Sequence, residues 1–287
     1  MDGVINIFKQ RGETSFKCVS RVRKALNVKK AGHTGTLDPE AEGVLPVCVG
    51  RATKLVDYIM GKEKTYVAGF ELGLVSDTLD AFGEVRSTNA VIPPEEEVRK
   101  AFADHIGNTL QTPPMYSALK KDGVRLYELA RSGIEIEREA REIEITSIEL
   151  LAFDGRIGSV RVDCGKGTYI RSLIDDVGRE LSCGAVMTSL MRERTGPFTL
   201  KNAVTVEGLA VEPEKHLIPM EEVLSEYGSM TIPEGFRKLL INGVKIKDTR
   251  VTGIAKPGTY RVYSEEGSFL GLGERVEDFL YLKLNLV

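Results

Sequence analysis

The chain has 287 residues, 42% of them hydrophobic and 28% charged, with a formal net charge of −3. That balance is the one of a globular protein, and no run approaches the length of apolar residues that a membrane helix needs. Four widely spaced cysteines (Cys18, Cys48, Cys164, Cys183) with no Cys-x-x-Cys pair, and three histidines with no His-x-x-x-His pair, argue against a metal centre and fit reduced thiols in a cytoplasmic protein.

Val4 to Phe8 reads as a short strand, without the apolar run or small-residue cleavage site of a secretory signal. Ser15 to Leu26 follows as an amphipathic helix, with Phe16, Val19, Val22 and Leu26 near one face and Thr14 or Ser15 placed to cap it. Val44 to Val49 is expected to be a buried strand interrupted by Pro46, Ala52 to Met60 a helix ending at Gly61, and Thr65 to Leu74 a strand. Pro93-Pro94-Glu95-Glu96-Glu97 opens a helix with acids in its first turn, running to about Ile106. Glu142 to Phe153 and Gly158 to Cys164 are β-rich runs joined by the turn Asp154-Gly155. Thr168 is predicted to cap a helix whose Ile170, Leu173, Ile174, Val177 and Leu181 follow a period of about 3.6 residues. Glu207 to Glu226 is acidic and expected at the surface. From Thr231 onward, short strands broken by glycines predict a small β domain, with a boundary near Gly228. Strands and helices mix without regular βαβ alternation, so the class is α+β.

Chemistry concentrates in a few segments. Ala31-Gly32-His33-Thr34-Gly35-Thr36-Leu37-Asp38-Pro39 sets one carboxylate in a glycine-flanked loop beside an imidazole. Pro39 pushes Asp38 toward an extended backbone, and the glycines allow turns and close approach of a ligand. An Asp before Pro also serves in ordinary turns, so this loop alone leaves both readings open. Lys9 to Lys30 holds eight Lys or Arg against one acid, Glu13, a local +7 that leaves −10 for the rest of the chain. A concentrated basic face on an acidic protein fits a polyanion; a solvated helix face is the plainer alternative. Arg171 lies in the first turn of its helix, where a cation opposes the macrodipole. A partner carboxylate, with Asp38 the candidate, would account for it, as would a simple surface position. Tyr169 stands at a glycine-lined helix start, and Tyr66 opens a strand after the Gly61 turn. Gly165-Lys166-Gly167-Thr168 lacks the Gly-Lys-Ser/Thr order of a phosphate loop, which sets nucleotide hydrolysis aside.

Together with Gly43-Val44-Leu45-Pro46, Lys64-Thr65-Tyr66, Gln111-Thr112-Pro113-Pro114-Met115-Tyr116-Ser117-Ala118-Leu119-Lys120, Gly167-Thr168-Tyr169-Ile170-Arg171 and Leu190-Met191-Arg192, the Asp38 loop resembles the TruB family of tRNA pseudouridine synthases. The resemblance runs from Val4 to about Phe198, in the family's order and spacing. It implies a pseudouridine synthase core over residues 1–228, a mixed, largely antiparallel sheet flanked by helices with a thumb-like insertion at about 111–141. It also implies a small β-rich, PUA-like RNA-binding domain over 229–287. The implied reaction is isomerisation of uridine to pseudouridine at position 55, in the T loop of tRNA, after the base has flipped. Asp38 would be the catalytic carboxylate, Arg171 its partner and Tyr66 a stacking and catalytic tyrosine. His33, Tyr66, Tyr169 and Leu190 would hold the flipped nucleotide.

Lys9, Arg11, Lys17, Arg21, Lys29, Lys30, Lys64, Lys120, Arg125 and Arg192 are the candidate RNA contacts. Breaking the N-glycosidic bond and rejoining the base through carbon oxidises nothing and donates no group, so no cofactor and no metal are expected. The expected partner is tRNA, bound by a cytoplasmic monomer with neither guide RNA nor membrane. Glu40 and Glu42 stand where many members carry an apolar and a small or hydroxyl residue, which adds negative charge beside the acid. Two other readings stand beside this one, a guide-RNA-dependent pseudouridine synthase and a non-catalytic tRNA-binding or folding protein. A pure binder has no need of Asp38, Arg171 and Tyr66 together.

Overall fold

In the computed structural model, which describes residues 1–287, one ten-stranded sheet draws on the chain from Gly3 to Ile218. Its main path runs Leu217–Ile218, Gly3–Lys9, Glu42–Val49, Ala185–Thr195, Lys64–Leu72, Ile157–Cys164, Arg141–Phe153 and Gly107–Gln111. Neighbours on this path are antiparallel except Glu42–Val49 and Ala185–Thr195, which meet in parallel at Met191 opposite Glu42 and Arg192 opposite Gly43. Ala31–His33 adds to the outer end of Glu42–Val49, pairing His33 with Val47. The class is therefore α+β with a mixed sheet flanked by helices. No helix is long and apolar enough to cross a membrane.

The two-residue alternation of strands decides which faces need cover. At one end of the sheet both faces are dry. Val4, Val44 and Cys48 point into one cluster; Ile5, Ile7, Leu45 and Val47 point into another, where the helix Ser15–Ala25 sets Cys18, Val19 and Val22 against them. Strands buried on both sides read as unbroken apolar runs. In Lys64–Leu72, by contrast, Tyr66, Ala68, Phe70 and Leu72 are buried and alternate with partly exposed residues. The helices Glu95–Asp104 and Ile170–Glu180 cover that single face with Val98, Phe102, Leu173, Ile174 and Val177.

Several local expectations shift. Pro46 does not interrupt its strand, and its carbonyl accepts the Thr34 N–H at 3.1 Å. Residues Gly50–Leu55 form a 3-10 turn before the α-helix Val56–Met60. Tyr169, not Thr168, occupies the N-cap of Ile170–Glu180, and the Thr168 hydroxyl donates to the Gly165 carbonyl at 3.3 Å. Phe16 is not part of its helix's buried face; it is 80% exposed, because Ser15, Cys18, Val19 and Val22 fix the packed side. Within the acidic 207–226 stretch, Leu209 and Leu224 are fully buried by short helices. No periodicity announces the Ala185–Thr195 strand, since irregularities between Met187 and Ser189 and between Arg192 and Arg194 reverse its phase twice.

A second sheet joins Gly228–Ile232, Gly258–Ser264, Phe269–Arg275 and Leu280–Asn285, the first pair parallel. The helix Glu234–Ile241 covers it, an addition to the all-strand expectation. Leu272 of this sheet and Leu286, just past its last strand, enter the same cluster as Val4, Leu55 and Leu224, so the two sheets share a core.

The parallel contact depends on a backbone approach that only glycine permits. Gly43 has φ +108°, and a Cβ there would lie 2.3 Å from the Arg192 carbonyl oxygen. Gly43→Ala should cost on the order of 2–4 kcal/mol through backbone strain and overpacking. Gly235→Ala, in a helix with nothing within 4 Å, should be neutral or slightly stabilising. Urea melts compare the two; matching midpoints would remove the constraint assigned to Gly43.

Candidate active site

The loop carrying Asp38 is cinched from three sides. Thr34 donates its N–H and its hydroxyl to the Pro46 carbonyl, at 3.1 and 3.3 Å. The Ser15 hydroxyl donates to the Leu37 carbonyl and accepts the Leu37 N–H, both at 2.9 Å. Pro39 accepts the Gly12 N–H at 2.8 Å and the Lys9 ammonium at 3.1 Å, and Lys9 reaches on to the Ala41 carbonyl at 2.5 Å. With its backbone held this way, Asp38 presents a carboxylate that is 38% exposed and lies 3.0 Å from Arg171 Nε through Oδ2.

Arg171 is 5% exposed, and its guanidinium joins four segments of the chain. Besides Asp38, Nη1 donates to the Thr78 carbonyl at 2.9 Å and lies 3.7 Å from Asp80 Oδ2; Nη2 donates to the Tyr116 carbonyl at 2.8 Å. Asp80 is the partner that sequence reasoning misses. It accepts the Thr78 hydroxyl at 2.6 Å and the Phe82 N–H at 3.0 Å, in a turn where Leu79 takes φ +63°. The clue was the polar cluster Ser76-Asp77-Thr78 with Asp80 and Gly83, which announces a turn but not its partner.

Asp38 and Arg171 open onto a cavity of about 560 Å³, within the range of small-molecule sites. Tyr66 lines it from the strand Lys64–Leu72, set by register between Val162 and Arg192. Burial raises the Tyr66 pKa, with the Arg192 guanidinium beside it working the other way, so the phenol stays protonated at neutral pH. Tyr169 and Leu190 line the same space. Gln111 holds Tyr169 in place through its side-chain amide, which accepts the Tyr169 N–H at 2.8 Å and donates to the Tyr169 carbonyl at 3.0 Å.

Other candidates are placed differently. His33 is not on the cavity wall; its Nδ1 accepts the Gly35 N–H at 3.3 Å, and burial, followed by the nearby Arg192 charge, lowers its pKa and keeps the ring neutral. Lys9, Lys64 and Arg192 are not surface phosphate contacts, because all three are buried. Lys9 spends its charge on loop carbonyls. Arg192 donates to the Val44 and Gly35 carbonyls at 2.7 and 3.1 Å. Lys64 donates to the Met60 and Lys62 carbonyls at 2.8 and 2.5 Å. Arg192 and Lys64 form part of the cavity wall instead. Arg11 pairs with Glu40 at 3.0 Å, which answers the extra acid there, and Arg21 is held by Glu13 and Glu207. Lys17, Lys29, Lys30, Lys120 and Arg125 are exposed.

Comparison with known proteins adds an independent view. A family model described as TruB family pseudouridylate synthase (N terminal domain) matches residues 23–170, and one described as tRNA pseudouridylate synthase B C-terminal domain matches residues 171–225. A tRNA pseudouridine synthase B of Clostridium perfringens is 49% identical, over 100% of this chain and 99% of that protein. That of Pseudomonas fluorescens is 41% identical, over 97% of this chain and 93% of its own length. Among solved structures, a chain of a Cbf5-Nop10-Gar1 complex aligns with a TM-score of 0.75 at 28% identity, covering 99% of this chain and 85% of that one. A chain of an H/ACA RNP bound to a substrate RNA containing 2'-deoxyuridine aligns at 0.73 and 26% identity, covering the same shares.

The two buried lysines separate pinning from phosphate binding. Lys9→Met should lower stability by on the order of 2–3 kcal/mol by orphaning loop carbonyls, while salt elution from heparin stays unchanged. An earlier elution with normal stability would restore Lys9 to the surface. Burial, the largest influence on it, pushes the Lys64 pKa down from 10.5 to about 8. The unfolded chain therefore holds that proton more tightly than the folded one. The destabilisation is full below pH 8 and is relieved as pH rises toward 10.5. The stability of wild type relative to Lys64→Met should rise across that window, in denaturant titrations from pH 7 to 10.5; a flat difference refutes the assignment.

Proposed function

The chain belongs to the TruB family of pseudouridylate synthases, which are isomerases, and from that premise we propose that it converts uridine 55 in the T loop of tRNA to pseudouridine. The observation that carries the reading is the Asp38–Arg171 pair, 3.0 Å apart on the wall of a cavity that Tyr66 also lines. Asp38 is the reacting carboxylate, acting as nucleophile or as the base that opens the sugar. Arg171 holds that carboxylate in place, with Nε 3.0 Å from Oδ2.

The reacting groups sit on cavity walls, so the target nucleotide must leave its stack and enter. Flipping costs a few kcal/mol and is offset by stacking on aromatic side chains, for which Tyr66 and Tyr169 are placed. Tyr66, protonated at rest, offers a ring face and a donor; Arg192 beside it would stabilise the phenolate if the phenol passes its proton on. Leu190 packs against the base. Residues 1–228 are the catalytic unit, 111–141 its thumb, and 229–287 a PUA-like RNA-binding module. We favour a stand-alone, monomeric, cytoplasmic enzyme over a guide-RNA-dependent one, because relatives named tRNA pseudouridine synthase B share 41% to 49% identity over nearly the whole chain, against 26% to 28% for the H/ACA and Cbf5 chains.

The test is incubation with unmodified tRNA transcript, without guide RNA, followed by mapping of pseudouridine. Wild type should modify position 55 alone. Asp38→Asn, which removes only the reacting oxygen, should bind tRNA within about threefold of wild type and lose turnover by at least about a hundredfold. A tenth of wild-type rate in that variant, or modification at another position, would sink the assignment.

A further inference from the structure

The pairing pattern divides the basic segment 9–30 into two groups. Lys9 is buried, and Arg11 and Arg21 are tied to Glu40, Glu13 and Glu207. Lys17, Arg23, Lys24, Lys29 and Lys30 are exposed and pair with no carboxylate. On the helix Ser15–Ala25, Phe16, Lys17, Ser20, Arg23 and Lys24 occupy about 120° of arc, opposite Cys18, Val19 and Val22. Phe16 is 80% exposed and touches no other ring or cation, unlike Phe82, which is covered by Arg11 at 4.9 Å. A lone exposed apolar side chain carries little meaning. This one sits at the end of a cationic stripe, beside Ser15, whose hydroxyl is bonded on both sides to Leu37 of the cavity wall. The Thr14 hydroxyl accepts the Lys17 N–H at 3.1 Å, so the ring projects from a capped, ordered turn.

We propose that this helix face is a second RNA contact, in which Phe16 stacks on an unpaired base of the substrate tRNA while Lys17, Arg23 and Lys24 engage its phosphates. An aromatic face beside unpaired cations is the combination that binds unpaired nucleotides, and stacking accepts any base. From Phe16 to Arg23 the stripe runs about 10 Å along the helix axis. The contact rests on the tRNA reading above: the base stacked here belongs to the molecule whose uridine occupies the cavity.

Full-length protein, tRNA transcript and a salt series test it. Phe16→Ala should weaken Kd and raise KM about fivefold or more with the salt slope unchanged, and Phe16→Trp should restore both. Arg23→Gln/Lys24→Gln should reduce the slope of log K against log salt by about one to two units, since each lost phosphate contact removes roughly 0.7–0.9. Kd within twofold of wild type for Phe16→Ala overturns the stacking role, as does a loss that Phe16→Trp fails to restore. A pair variant with an unchanged slope overturns the phosphate role and leaves the face to a protein partner. Binding is read apart from turnover, so a protein that binds tRNA through this face but makes no pseudouridine would refute the function proposed above and not this contact.

Discussion

A buried guanidinium needs a polar partner on each of its nitrogens, and the arrangement around Arg171 follows from that requirement. Nε faces Asp38, Nη1 the Thr78 carbonyl and Asp80, and Nη2 the Tyr116 carbonyl. Four segments far apart in sequence can occupy their places only together. Removing one partner of a desolvated pair costs about 3–5 kcal/mol; the figure is smaller here because Asp38 is 38% open to solvent. A carboxylate sealed on both oxygens could not meet a substrate, and one without Arg171 would lack an oriented charge.

The same logic explains why the Asp38 loop needs no regular secondary structure. Its backbone groups are satisfied by Ser15, by Lys9 and by the Pro46 carbonyl, each supplied by an element packed into the core. Lys9 shows how costly this is, since burial lowers its pKa against the opposing influence of Cys18, Glu13, Asp38 and Glu40. The rigidity of the site thus comes from groups below it. Gly43 belongs to the same foundation, because the close contact it permits sets Arg192 against the loop at Gly35.

Much of the fold was legible because its strands and helices obey simple periods. Val4 to Phe8, Val44 to Val49 and the apolar face at Ile170, Leu173, Ile174 and Val177 all show in the sequence. The Ala185–Thr195 strand did not, since two breaks in register scramble its alternation although it lies at the centre of the sheet. In the site, Asp38 and Arg171 were legible as a pair because each was out of place alone, an acid in a glycine loop and a cation at a helix start. Asp80 was hidden, since an Asp in a turn normally needs no distant partner. Lys9, Lys64 and Arg192 looked like RNA contacts because composition counts charges without saying which are enclosed.

That last distinction changes the electrostatic argument itself. The segment 9–30 has eight basic residues against one acid, yet one of them is enclosed and two are neutralised by carboxylates from the same segment or from Glu40 and Glu207. The field that reaches solvent arises from the five that remain, arranged along one helix face and the turn that follows. On a chain of net charge −3, this stripe is a local concentration of the opposite sign. Of these cations, Lys17, Arg23 and Lys24 lie on the helix that the Ser15–Leu37 bonds join to the cavity wall. The helix that carries these free cations thus also holds the loop that carries the Asp38 carboxylate.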